Sequence, residues 1–189
     1  MPRLFVALVP KSDVRRGLGA LQVGLEGVRW VASEFLHLTV RYIGEVSRLQ
    51  TEDVIYELGE IDHCSFSVKF GNVGFFSSGG RVRSLWVGID NSFSLMSLKE
   101  SVDARLRRVG IESESRNYIP HVTLGRGGVT PYKLDNFLSW ASSIVQQPMI
   151  VDRYVLMCSE RLRKGPVYTS IANYSLLGPL EQGRSLKGP

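Results

Sequence analysis

His37-Leu38-Thr39-Val40 and His121-Val122-Thr123-Leu124 spell one pattern twice, His-aliphatic-Thr-aliphatic, and the two copies stand 84 positions apart. Two of the three histidines of the chain thus have a threonine two residues on. On a β-strand, residues i and i+2 point to the same face, roughly 6.5–7 Å apart at the backbone. On a helix the same spacing sends them to different sides. Read as strands, both copies present an imidazole and a hydroxyl to one face and anchor their aliphatic residues in a core on the other. Two such strands side by side would gather two imidazoles and two hydroxyls around one tetrahedral anion. Histidine titrates near neutrality, so one ring can take a proton while the other gives one. The hydroxyls can donate hydrogen bonds to phosphoryl oxygens.

Working outward, residues 36–43 (LHLTVRYI) alternate as a half-buried strand. Strict alternation puts Leu36, Leu38, Val40 and Tyr42 on one face and His37, Thr39 and Arg41 on the other. Residues 120–125 (PHVTLG) form the second strand, with Pro120 permitted at its first position. Upstream, residues 3–9 (RLFVALV) read as a buried strand. A helix capped by Ser12 or Asp13 runs to about Glu26 on a stripe of Val14, Leu18, Leu21 and Leu25, and 28–31 is a short extended piece. After the first motif, Thr51 opens a helix to about Ile61. Strands at 65–73 and 84–90 flank a Gly/Ser/Arg loop, FSSGGRVRS. A long helix runs from Asn91 or Ser92 to Val109 with Leu95, Leu98, Val102 and Leu106 inward. After the second motif come a helix at 135–144 and strands at 149–158 and 166–177, joined by the basic turn RLRKGP.

The same offset of 84 carries the helix at 14–25 onto 98–109. Each half reads strand, helix, strand, helix, strand. The expected fold is α+β, with two similar lobes arising by duplication. Residues 1–178 read as one bilobal domain, and the polar, Pro/Gly-rich tail at 179–189 is expected to be mobile.

The composition sets the outer bounds. A chain of 189 residues with 43% hydrophobic and 22% charged residues is ordinary globular material. This excludes a disordered tail protein, a collagen-like rod and a disulfide-stapled miniprotein. The apolar runs are too short to span a bilayer, and the N-terminus lacks the layout of a signal peptide, so the expectation is a cytoplasmic protein with no membrane partner. A net charge of +5 favours an anionic partner without naming one. Cys64 and Cys158 have no CxxC spacing and read as buried free thiols. No histidine and carboxylate cluster stands at metal-ligand spacing, so neither metal nor cofactor is expected. The glycine-rich stretch lacks Gly-Lys-Ser/Thr and is no nucleoside-triphosphate loop.

With these residues in view, the chain resembles the two-histidine (2H) phosphoesterase superfamily. RLFVALV, VRWV before LHLTVRYIGEV, SLWVGID and PHVTLGR further resemble its branch of RNA 2′,3′-cyclic phosphodiesterases, also called 2′-5′ RNA ligases. The resemblance covers about residues 3–177. It implies two lobes, each a mainly antiparallel sheet with packed helices, a cleft between the sheets, and metal-free hydrolysis of an RNA or nucleotide 2′,3′-cyclic phosphate to a 2′-phosphate end. It implies His121 as the base and His37 as the acid, with Thr39, Thr123 and Arg126 at the phosphoryl oxygens. A monomer is expected. Two enzymatic alternatives remain: reversible 2′-5′ ligation, and action on another small cyclic or 2′-5′ nucleotide. An alternative of another class is a non-catalytic module that captures RNA ends.

Further residues are weighed on their own positions. Arg41 shares the face of His37 and Thr39 by alternation and is a candidate for substrate binding at the cleft border. Tyr42, where the family commonly has an aromatic, falls on the opposite face and reads as core, as do Trp86 and Tyr168, the candidates for base stacking. His63 reads as a helix-end or surface histidine. The stretches 79–83 and 161–164 are basic, and either could touch an RNA backbone, although both read as solvated turns.

Overall fold

Leu4 through Leu8, the apolar run near the N-terminus, are all buried in β1 (Arg3–Leu8), at the middle of the sheet. The computed structural model describes residues 3–127, 134–144, 147–162 and 165–178. After β1 come α1 (Ser12–Gly19), β2 (Val28–Trp30), a 3-10 turn (Ser33–Phe35), β3 (Leu38–Glu45), α2 (Arg48–Gly59), β4 (Phe66–Val68), β5 (Phe70–Ser78) and β6 (Arg81–Ile89). Then follow α3 (Phe93–Arg108), β7 (His121–Gly127), α4 (Asp135–Ser143), β8 (Met149–Val151), β9 (Arg153–Leu162) and β10 (Gly165–Ser175). The tail at 179–189 and the centre of the turn at 163–164 lie outside the described residues.

The fold is α+β. Eight strands form one antiparallel sheet in the order β10-β9-β1-β3-β7-β6-β5, with β2 also on β7, while β4 and β8 pair separately. Its two halves meet at one register pair, Leu38 opposite Val122. Both side chains are fully buried. Their neighbours on either side therefore turn to the other face. Because the strands run antiparallel, His37 lies across from Thr123, and Thr39 across from His121. Beyond this pair the same edge of β7 takes up β2, with Val28 opposite Gly127 and Trp30 opposite Gly125. β3 and β7 thus touch at their histidine ends and part beyond, which opens a wedge above the motifs.

Helices cover the core face. Leu95, Leu98, Val102 and Leu106 of α3 are buried, and burying such a side chain stabilises by about 1.5–3 kcal/mol. Ser92 caps α3 by accepting from the Leu95 N–H at 3.3 Å. Tyr154 and Tyr174 stack on one another and donate their hydroxyls to the Leu58 and Ile55 carbonyls, tying α2 to β9 and β10.

Several boundaries differ from the sequence expectation for local reasons. Helix α1 stops at Gly19 rather than near Glu26, in a stretch weakened by Gly17, Gly19 and Gly24. Leu21 is still buried, from the turn beyond it. Helix α2 starts at Arg48, because Ser47 rather than Thr51 is the cap, accepting from the Gln50 N–H at 3.1 Å. The segment 76–84, expected as a loop, is the end of a hairpin. β5 and β6 run up to Gly79-Gly80, whose φ values of 60° and 70° suit a tight two-residue turn. Its polar letters are the solvent-facing half of an alternating strand, with Val82 buried between exposed Arg81 and Arg83.

Candidate active site

The two motifs come together as their pattern requires. His37, Thr39, His121, Thr123 and Arg126 line one cleft of about 120 Å³, with Val31, Phe35 and Tyr168 completing its wall. The histidines are anchored alike. Nδ1 of His37 lies 2.7 Å from the Phe35 carbonyl and Nδ1 of His121 lies 2.7 Å from the Ile119 carbonyl, each two residues upstream. A carbonyl only accepts, so Nδ1 carries the hydrogen in both rings and donates it. The Nε2 atoms are left to gain or lose a proton. Aromatic rings fix the imidazole planes. His37 sits 5.0 Å from Phe5 and edge-on to Tyr168 at 5.0 Å. His121 sits edge-on to Phe76 at 5.0 Å and 5.9 Å from Trp86.

Burial is the main cause that pulls both imidazoles below their ordinary 6.5. The hydrogen bonds to Phe35 and Ile119 oppose it, and the charge of Arg126 lowers both further. His121 adds its own lowering of His37. Both rings thus share the influence of one guanidinium, that of Arg126.

Arg126 reaches the cleft through a β-bulge. Strand β7 pairs with β6 by setting Thr123 opposite Trp86 and Gly125 opposite Leu85, which leaves Leu124 as an extra residue. Leu124 and Gly125 both turn to the core, and Arg126 returns to the face of His121 and Thr123. On the edge that faces β2, the Leu124 carbonyl accepts from the Val31 N–H at 2.9 Å and from the Gln22 amide at 2.8 Å.

A matching bulge removes Arg41 from the site, which corrects the expectation of a substrate-binding residue. β3 pairs with β1 by setting Thr39 opposite Ala7 and Arg41 opposite Val6, so Val40 is the extra residue. Val40 and Arg41 both point inward. Arg41 is 3% exposed and pairs with Asp103 of α3 at 2.8 Å and Glu114 at 3.2 Å. It also donates to the Glu112 carbonyl. The same shift turns Tyr42 outward at 47% exposure rather than into the core, and it does not line the cleft. Asp103 also pairs with Lys99, whose ammonium stands 5.3 Å over the Tyr118 ring. The Tyr118 hydroxyl donates to the Thr39 carbonyl at 3.0 Å. This network holds the segment before His121 against the strand that carries Thr39.

Trp86 and Tyr168, read as core, are half-buried and flank the histidines. His63 lies beyond α2, with Nδ1 2.8 Å from the Cys64 carbonyl, and takes no part in the cleft. Cys158 is buried and Cys64 half-buried, and both are free thiols. Sequence reasoning missed Phe5, Phe35 and Phe76 as ring supports and Tyr118 as a tie. The two carbonyl acceptors belong to backbone and carry no signal in side-chain letters. Among the described residues, no three His, Cys, Asp or Glu side chains gather as a metal site, and no helix is long and apolar enough to cross a membrane.

Known proteins agree with this architecture. The chain is 28% identical over 172 residues to an RNA 2′,3′-cyclic phosphodiesterase of Archaeoglobus fulgidus, covering 89% of this chain and 97% of the relative. It is also 28% identical to one of Thermotoga maritima, covering 88% and 91%. A crystal structure from Thermus thermophilus superposes with a TM-score of 0.78 at 25% identity, over 94% of this chain and all of the other. Apo LigT of E. coli shares the fold with a TM-score of 0.73 at 24% identity, over 93% and 98%. The profile of LigT-like phosphoesterases matches twice in succession, over residues 8–86 and 87–168, and the chain, duplicated as its two motifs are, belongs to that family.

Proposed function

We propose that the protein hydrolyses the 2′,3′-cyclic phosphate of RNA or nucleotide ends to a 2′-phosphate, without a metal ion. The observation that carries this reading is the pair of imidazoles in one cleft, each held by Nδ1 to a backbone carbonyl and each with Nε2 left for proton transfer. A site that only captured phosphate ends would be served by arginine or lysine and would have no use for two oriented rings. The names borne by the relatives agree with turnover.

In the proposed reaction, water attacks phosphorus in line with the 3′ oxygen. His121 takes a proton from the water through Nε2, as the family resemblance implies. The bond between phosphorus and the 3′ oxygen breaks, and His37, protonated on Nε2, gives that oxygen its proton. The products are a 2′-phosphate and a 3′-hydroxyl. Thr39, Thr123 and Arg126 stabilise the charge that grows on the non-bridging oxygens. The anionic substrate itself favours a protonated imidazole beside it, which offsets the lowering by burial.

The test is hydrolysis of adenosine 2′,3′-cyclic phosphate in excess EDTA, with the product isomers separated. Turnover to adenosine 2′-phosphate is expected. A 3′-phosphate product would overturn the bond assignment. Activity lost in EDTA and restored by one divalent ion would overturn the metal-free mechanism.

A further inference from the structure

Arg29 stands directly opposite Arg126 in the β2–β7 register. Directly opposed residues of an antiparallel pair project to the same face, roughly 5 Å apart. Their flanks agree. Val28 and Trp30, on either side of Arg29, lie against Gly125, on the core face. Arg29 therefore projects with Arg126 on the face of the cleft, and both are exposed. Among the described residues neither guanidinium has a carboxylate within ion-pair distance. Like charges set directly opposite each other destabilise a sheet. A second anion beside the one at Arg126 would relieve that repulsion.

We propose that Arg29 forms a second phosphate subsite, which takes the phosphodiester on the 5′ side of the terminal nucleoside, so that the preferred substrate is a polynucleotide end rather than a free mononucleotide. This rests on the phosphodiesterase reading, in which the cyclic phosphate occupies the cleft under Arg126. The next phosphate lies one nucleoside away, and Arg29 extends the positive track by one strand, on the edge of β7 that also carries β3. Because the contact is to a phosphate, it is indifferent to the base and weakens with salt.

The experiment compares kcat/KM for three compounds: adenosine 2′,3′-cyclic phosphate, the same compound bearing a 5′-phosphate, and the dinucleotide ApA ending in a 2′,3′-cyclic phosphate. Each is measured with wild type, Arg29→Gln and Arg29→Lys, in low and in moderate salt. In wild type, the two compounds with the added phosphate should exceed the plain one by about tenfold, the worth of one charge-assisted hydrogen bond. Arg29→Gln should bring that ratio close to one, and should make its salt dependence shallower by about 0.7 in log–log slope. Arg29→Lys should keep most of the ratio, since phosphate accepts a point charge. A ratio near one in wild type, or an undiminished ratio in Arg29→Gln, would overturn the subsite. A gain for the dinucleotide alone would also overturn it, by assigning the preference to the added nucleoside. Turnover of none of the three compounds would overturn the phosphodiesterase reading itself, and the subsite with it.

Discussion

Residues 37–42, His-Leu-Thr-Val-Arg-Tyr, and 121–126, His-Val-Thr-Leu-Gly-Arg, trace the same path in the two halves. Both begin with a histidine tied to the carbonyl two residues back. Both send threonine to the cleft and bulge at the fourth position. They part at the fifth and sixth. In the first half the fifth residue, Arg41, is buried in an ion pair with α3, and the sixth, Tyr42, faces solvent. In the second half the fifth is Gly125, where a Cβ would come within 2.6 Å of Val28, and the sixth is Arg126, over the cleft. The difference teaches how a duplicated site divides its labour. The histidine and threonine are kept twice, while one half buries its arginine against α3 and the other holds its arginine over the cleft.

The largest expected effect breaks the symmetry of the shared part. His37→Ala and His121→Ala should each lower kcat/KM on a 2′,3′-cyclic phosphate by about 10²–10⁴-fold. The double variant should lose far less than the product, because the pair acts as a unit. A folded single variant, checked by circular dichroism, that retained near wild-type turnover would count against the acid–base pair.

Next comes the divergent fifth position. Arg41→Met removes one side of a buried ion pair and should cost about 3–5 kcal/mol in a urea titration. Gly125→Ala meets the side chains of Val28 and Trp30 and should cost about 1–3 kcal/mol. Equal and small losses would show that the two halves are packed more alike than their contacts indicate.

At the sixth position, Arg126→Gln should lower kcat/KM by roughly 10²-fold as a lost stabiliser of the phosphoryl oxygens. Tyr42→Phe should stay within about twofold of wild type, as a surface change does. The pH profile separates the two further. Because both imidazoles titrate below 6.5, the optimum of kcat/KM should lie on the acid side of 6.5. Arg126 lowers both values, so its removal should move both limbs of the bell to higher pH. A profile that stayed in place while the rate fell would mean that Arg126 acts on substrate without touching the histidines.

The smallest effect belongs to the tie between the halves. Tyr118→Phe deletes one hydrogen bond, to the Thr39 carbonyl, and should cost about 1 kcal/mol of stability. A far larger loss would show that this hydroxyl governs the junction.

How much of this could be read from the letters depends on what each letter determines. The alternation in LHLTV and HVTL was enough to place His37, Thr39, His121 and Thr123 on one face, because the period of a strand is two and the aliphatic residues name the buried side. The stripe of α3 was equally legible. Counting by twos fails at Val40 and Leu124. A bulge inserts one residue without any composition of its own, and every side chain after it changes face. That single device explains why Arg41 and Tyr42 exchanged places relative to expectation. It also makes Arg126, an odd number of positions from His121, a neighbour of the cleft. Pairing partners distant in sequence, such as β2 on β7 or Tyr118 on Thr39, leave no local pattern to read.

The sheet order has a consequence for how the chain reaches this state. The first half is completed by β9 and β10, from the far end of the chain, with Leu4 opposite Cys158. The second half is completed by β2, from before the first motif. Neither half owns all of its strands, so neither is an independent folding unit. During synthesis β1 leaves the ribosome some 150 residues before its partner β9, and its apolar edge must wait uncovered. Such non-local pairing slows folding and couples the halves into one cooperative transition. A nick between them should leave two fragments that recover structure only when mixed.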